Sequence, residues 1–119
     1  MLHHATHELL QAQLAQCIDF YEELGFAQVP TPKGIGERAV WLQSGPTQIH
    51  LMPRGQPSPP AESGHIAVVV DDYNATVGRL REGGFEVEPR RPHWGAPRSY
   101  VRDPAGHLVE LMAWPPQEG

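Results

Sequence analysis

The sequence predicts an α+β fold of paired β-α-β-β-β modules in one domain. Three observations carry that expectation: landmarks recurring about sixty residues apart, strand-like alternation around each landmark, and a proline-rich stretch between the halves. The first half runs His4-Ala5-Thr6, a helical stretch ending in Leu24-Gly25-Phe26, then Trp41-Leu42 and Ile49-His50-Leu51-Met52. The second runs His65-Ile66-Ala67, a helical stretch ending in Gly83-Gly84-Phe85, then Tyr100-Val101 and Val109-Glu110-Leu111-Met112. The offsets are 61 residues for the histidines, 59 for Gly-Phe and 60 from His50 to Glu110.

In the first module, about residues 1–53, Leu14, Cys17, Ile18 and Tyr21 fall at helical spacing and predict a helix from about Ala12 to Leu24. Glu37 to Gln43 and Thr47 to Met52 form a hairpin that turns at Ser44-Gly45-Pro46. Residues 53–63 hold four prolines in eleven positions, which neither a helix nor a central strand tolerates, so they read as a linker.

The second module, about residues 64–114, opens with His65 to Val70, an apolar run typical of a strand covered on both faces. Asp71 and Asp72 signal a helix start, Val77 and Leu80 give its apolar stripe, and Gly83-Gly84 ends it. Glu86-Val87-Glu88 is a short strand stopped by Pro89. Arg98 to Arg102 and His107 to Ala113 form a hairpin around Asp103-Pro104-Ala105-Gly106.

Period two then sorts the side chains. Ile49, Leu51, Val109 and Leu111 face their helices. Gln48, His50, Met52, Leu108, Glu110 and Met112 face away, as do Leu2, His4 and Thr6 on the first strand and His65, Ala67 and Val69 on the fifth. His4, His50, His65 and Glu110 are therefore expected to converge on one concave surface.

Two histidines and a carboxylate suit a divalent cation such as Fe, Mn, Ni or Zn. His4, His65 and Glu110 are the expected ligands, leaving coordination positions open to a substrate. Glu110 carries most of this reading, because a carboxylate inside the apolar Leu108–Met112 run is costly without a partner. His50 is either a fourth ligand or an acid-base group beside the metal. His3 and His7 have the opposite parity and read as sheet-edge or helix-side residues, with His3 a rival for the ligand role. His107 reads as structural, Cys17 as helix packing, and Trp41 as either core or pocket.

Composition narrows the classes. The chain has 119 residues and a formal charge of −5, which disfavours a nucleic-acid surface. One cysteine excludes an internal disulfide and fits a reducing compartment. The first residues lack a secretory pattern and no stretch approaches the ~20 apolar residues of a membrane span, so a cytoplasmic protein is expected.

His4-Ala5-Thr6, Phe20-Tyr21-Glu22-Glu23-Leu24-Gly25-Phe26, Gly64-His65-Ile66-Ala67-Val68-Val69-Val70-Asp71 and Asp103-Pro104-Ala105-Gly106-His107-Leu108-Val109-Glu110-Leu111 resemble the vicinal oxygen chelate superfamily. That group includes glyoxalase I, extradiol dioxygenases, fosfomycin-resistance enzymes, methylmalonyl-CoA epimerase and bleomycin-resistance proteins. The resemblance spans essentially the whole chain. It implies the paired-module fold, a divalent metal on His4, His65 and Glu110, a small-molecule substrate, and a homodimer whose site is often shared between chains.

Within the group, glyoxalases and epimerases carry Glu or Gln at the position of His50, and the histidine departs from that pattern. Extradiol dioxygenases have an acid-base histidine in this region. They also have a histidine and a tyrosine ahead of x-x-Asp-Pro-x-Gly and the ligand Glu, which maps here onto His93 and Tyr100. Arg91 and Ser99 depart from that signature. Fosfomycin-resistance enzymes share residues like Thr6 and Tyr100, but the loop from Pro92 to Pro97 lacks their potassium-binding pattern.

The resemblance thus implies a metal-dependent enzyme acting on vicinal oxygens, dioxygenase-like, with catalytic His50, Tyr100 and His93 and substrate contacts from Tyr100, His93, Trp41 and Thr6. Its alternatives are a glyoxalase- or epimerase-type lyase or isomerase with His50 as fourth ligand, and a non-catalytic antibiotic-type binding protein.

Overall fold

The computed structural model describes residues 1–34 and 39–117. Glu37 and Arg38, the expected start of the first hairpin, lie outside the described residues. The chain divides into two compact units, Met1–Pro60 and Ala61–Gly119, the division falling inside the expected linker. Each unit follows the order β-α-β-β-β.

Unit one comprises β1 (His4–Leu9), a 3-10 turn (Gln11–Gln13), α1 (Leu14–Glu23), β2 (Ala27–Val29), β3 (Val40–Ser44) and β4 (Thr47–Pro53). The sheet order is β1-β4-β3-β2, with β1 parallel to β4 and the other pairs antiparallel. The α-helix begins at Leu14 rather than Ala12, because the three preceding residues wind as a 3-10 turn and Gln13 Oε1 accepts from the Leu10 amide at 2.9 Å. Cys17, Phe20 and Tyr21 are buried on one helix face. Gly25, at φ 98°, closes the helix while the Phe26 amide returns to the Tyr21 carbonyl at 3.1 Å. Leu9, Leu42, Ile49 and Leu51 complete this core, each at most 2% exposed.

Unit two comprises β5 (Ile66–Val69), α2 (Tyr73–Glu82), β6 (Glu88–Arg90), β7 (Arg98–Arg102) and β8 (Leu108–Met112), in the sheet order β5-β8-β7-β6. Asp72 caps α2 by accepting from the Ala75 amide at 3.2 Å, Val77 and Leu80 are buried, and Gly84 takes φ 90° just past the helix end. The Asp103–Gly106 turn is closed by the Gly106 amide on the Asp103 carbonyl at 2.9 Å. The buried Asp103 carboxylate accepts from the amides of Ala105 and His107.

Three expectations are corrected in this unit. Strand β5 starts at Ile66, so His65 stands just ahead of it. Ala67 and Val69 are exposed, so β5 alternates instead of being covered on both faces; one helix per unit covers one face of its sheet. Pro89 lies within β6 rather than stopping it, because β6 is the edge strand and a missing N–H is tolerated there.

Candidate functional site

Each unit carries half of the expected constellation at matching register. In unit one His50 lies opposite Thr6 on β1 and Trp41 on β3. In unit two Glu110 lies opposite Ala67 on β5 and Tyr100 on β7. His4 pairs with Gln48, two residues before His50, and His65 holds the matching place ahead of Ile66. Period two gives all of these positions the face that the apolar residues leave free.

In unit one the rings of Trp41, His50 and His4 form a stack. Trp41 and His50 are parallel within 2° at 4.0 Å, and His50 and His4 within 14° at 4.0 Å. His50 is buried, and its Nε2 lies 2.8 Å from Gln48 Oε1, so Nε2 carries the proton and donates. Gln48 is itself oriented by donating from Nε2 to Gln43 Oε1 at 2.8 Å. The His50 pKa is lowered, first by burial and then by the neighbouring His4 and His3, which favours the neutral ring. His4 remains exposed, with Nδ1 2.9 Å from His3 Nδ1. His3 therefore stands beside His4 rather than apart from the site, its ring also 6.4 Å from His50. His7 turns to the helix side, where Nδ1 meets the Tyr21 hydroxyl at 3.1 Å. Thr6 is exposed on its strand.

Unit two is ionic where unit one is aromatic. Glu110 is buried, with Oε1 3.1 Å from His65 Nε2 and Oε2 accepting from Arg98 Nη1 at 3.2 Å. His65 Nδ1 lies 2.9 Å from the Ser63 carbonyl. A carbonyl only accepts, so Nδ1 bears the proton and the second nitrogen of a neutral ring presents a lone pair to a carboxylate. Two acceptors 3.1 Å apart repel unless a proton or a metal ion lies between them.

That arrangement fits a metal. Bonds of roughly 2.1 Å at right angles put neighbouring donor atoms about 3.0 Å apart. A ligand histidine characteristically gives its other N–H to a carbonyl or carboxylate. His4 and His50 are different, because near-parallel in-plane lone pairs from rings 4.0 Å apart do not meet at one ion.

Tyr100 stands beside the ionic pair, its ring 5.1 Å from that of His65. Arg90 and Arg98 lie over it at 4.9 and 5.6 Å. Tyr100 also lines an open cavity of about 430 Å³ with Ser63, Glu62, Glu86, Glu88 and Leu108. The lining stops short of His65 and Glu110, so the cavity adjoins the pair through Tyr100 rather than enclosing it. His93 is exposed and meets neither His65 nor Glu110 in these contacts; its Nε2 accepts from Arg98 Nη2 at 3.0 Å.

Sequence reasoning missed Arg98 and the role of Gln48. Arg98 shares the parity of Tyr100, and a buried glutamate needs a countercharge; together these were the available signals. The Ser63 contribution is a backbone carbonyl and leaves no trace in residue identity.

The sequence pattern of the Glyoxalase/Bleomycin resistance protein/Dioxygenase superfamily matches residues 1–111, and the chain belongs to that superfamily. Its members commonly use divalent metals, bind small-molecule substrates and often form dimers. No curated protein matches the chain in sequence. Among solved structures, a glyoxalase family protein from Bacillus anthracis is similar, with 25% identity, a TM-score of 0.81, and coverage of 94% of this chain and 93% of that one. The oxidase ChaP-H2 is similar in fold at 23% identity and a TM-score of 0.73, over 100% and 97% of the two chains. The fosfomycin resistance protein FosX from Listeria monocytogenes is similar in fold at 19% identity and 0.72, over 100% and 94%. Among the described residues, no helix is long and apolar enough to cross a membrane.

Proposed function

We propose that this chain is a divalent-metal-dependent enzyme acting on a small molecule with adjacent oxygens, in the manner of the extradiol dioxygenases of its superfamily. Its ligands include His65 and Glu110 of unit two, with Fe, Mn, Ni or Zn as the metal class. The observation that carries the reading is His65, whose Nδ1 bonds to the Ser63 carbonyl while Nε2 faces Glu110 Oε1 at 3.1 Å. The bound ion would supply Lewis acidity towards charge developing on the substrate oxygens.

The chain's own groups do the rest. Tyr100 offers a ring face and a hydroxyl at the edge of the cavity, which receives the body of the substrate. His50 moves a proton at Nδ1, the nitrogen that its bond to Gln48 leaves unprotonated in the neutral ring. Its lowered pKa keeps that nitrogen free to accept. Thr6 and Trp41 flank it. His93, whose Nε2 accepts from Arg98, is the further catalytic and substrate-contacting group beside Tyr100. The two units work as modules of one domain, in a homodimer of a cytoplasmic protein.

The stack and the Gln48 bond disfavour His50 as a fourth ligand, and with it the glyoxalase- or epimerase-type alternative. Elemental analysis of protein purified without an affinity tag identifies the metal. Oxygen consumption with a catechol after anaerobic Fe(II) loading is the expected result. Turnover of a hemithioacetal with Ni or Zn would replace this reading by the lyase alternative. Tight ligand binding without turnover under either condition would leave a binding protein.

A further inference from the structure

We propose that Arg102 is a positioning residue: it holds the turn ahead of β5 so that the Ser63 carbonyl keeps the proton of His65 on Nδ1. The inference rests on the metal reading above, in which His65 Nε2 is a ligand atom. Arg102 ends β7 and spends its guanidinium on three backbone carbonyls. Nη1 donates to Ala61 at 3.2 Å and to Gly106 at 2.7 Å, and Nη2 to Glu62 at 2.7 Å. Two consecutive peptides of the run into β5 are thereby tied to the turn at residues 103–106. The run is neither helix nor strand, so no ladder orients its carbonyls. It also bends tightly: a Cβ on Gly64 would stand 3.3 Å from that of Ala61. Because each peptide is planar, the Glu62 bond fixes the plane that ends at the Ser63 nitrogen. At the other end Ile66 is paired with Val109. Only residues 63–65 lie between these two anchors, and within them the Ser63 carbonyl meets His65 Nδ1 at 2.9 Å.

Two acceptors compete for the single proton of a neutral His65 ring: the Ser63 carbonyl at Nδ1, and Glu110 Oε1, 3.1 Å from Nε2. The carboxylate is the stronger acceptor. If the turn drifts, the proton passes to Nε2, which then has no lone pair for an ion. A planar fork that bridges neighbouring carbonyls resists that drift. An ammonium, with its donors on one nitrogen, does not span them in the same way.

The test titrates the metal-free full chain with Zn(II) and compares wild type with Arg102→Met and Arg102→Lys. Removing a positive charge from the unit that binds a divalent ion should by itself tighten binding, so electrostatics and positioning predict opposite signs. Arg102→Met is expected to bind Zn(II) about 10- to 100-fold more weakly, the usual loss when the support of a ligand histidine goes. In Zn(II)-loaded protein carrying isotope-labelled histidine, NMR should find the His65 Nδ1 proton protected in wild type and exchanging with water in Arg102→Met. Arg102→Lys should fall between the two, and carries the test alone if Arg102→Met does not fold. Zn(II) binding that is equal or tighter in the folded variants, or an Nδ1 proton equally protected in them, would leave Arg102 as a turn tie and overturn its role at His65 while the metal reading stands. A wild-type chain that binds no Zn(II) at millimolar concentration would overturn both.

Discussion

The two units place a stacked histidine and a clamped glutamate at the matching point of their two matching sheets. His50 and Glu110 each sit mid-strand between a parallel neighbour and an antiparallel one. The aromatic partner across the hairpin is Trp41 in one unit and Tyr100 in the other. Their surroundings then diverge. His50 is held by ring faces and a side-chain amide, with its cation disfavoured. Glu110 is held by a guanidinium and faces an imidazole nitrogen. The fold therefore fixes where the groups stand and leaves their chemistry to two or three neighbours. One duplicated frame presents a stacked imidazole in unit one and a glutamate paired with an arginine in unit two.

The largest expected effects fall in the ionic unit. Glu110→Ala removes a proposed ligand and leaves Arg98 as a buried cation without its countercharge, a change that costs about 3–5 kcal/mol where such pairs are broken. Urea unfolding of the metal-free variant should show a loss of that order, and elemental analysis should find no bound metal. A Glu110→Ala protein with wild-type metal content would overturn the proposed metal role of unit two. His50→Ala should act on the other side of the comparison, keeping most of its metal while turnover falls about 10²- to 10⁴-fold, the range for losing a general acid-base group. Collapse of metal occupancy in that variant would mean that both units are ligand-bearing in the same way, and the contrast between them would fail.

A smaller effect is expected at the stack. Trp41→Leu keeps bulk and apolarity but removes one ring face from His50. The cost should be about 0.5–1.5 kcal/mol, the usual worth of an aromatic pair beyond its buried area. Thermal unfolding measures it. A Tyr100→Leu change should shift ligand binding more than stability, because Tyr100 is half-buried and lines the cavity.

The difference between the units also marks what the sequence could disclose. Alternation along Leu108–Met112 and Thr47–Met52 was enough to turn Glu110 and His50 away from the helices, since period two is a property of the backbone. The repeat tied His65 to His4 for the same reason. Arg98 was hidden because a long flexible side chain at a strand start can run to solvent or fold inward; only acceptors such as the Arg91 carbonyl, His93 and Glu110 decide between them. The partner of His93 was not legible either, because that depends on where Arg98 points. The 3-10 turn ahead of α1 and the inclusion of Pro89 in β6 escaped for a local reason. Residues at an element's edge answer to one or two hydrogen bonds, which periodicity does not encode.

The smallest expected effect is a pH dependence confined to unit one. Burial, then His4 and His3, lower the His50 pKa below its ordinary value of about 6.5. In the unfolded chain this histidine gains its proton at a higher pH than in the folded chain, so between those two values the unfolded state binds more protons. Stability therefore rises with pH across that interval. The contribution is fully present above about pH 6.5 and is lost as pH falls through the folded value. Metal-free protein, unfolded by urea at a series of pH values, should show that slope, and His50→Phe, which keeps a ring in the stack but cannot titrate, should lack it. The same slope in both proteins would assign the dependence to another group. It would also remove the argument that His50 is kept neutral by its neighbours, leaving the stack as packing alone.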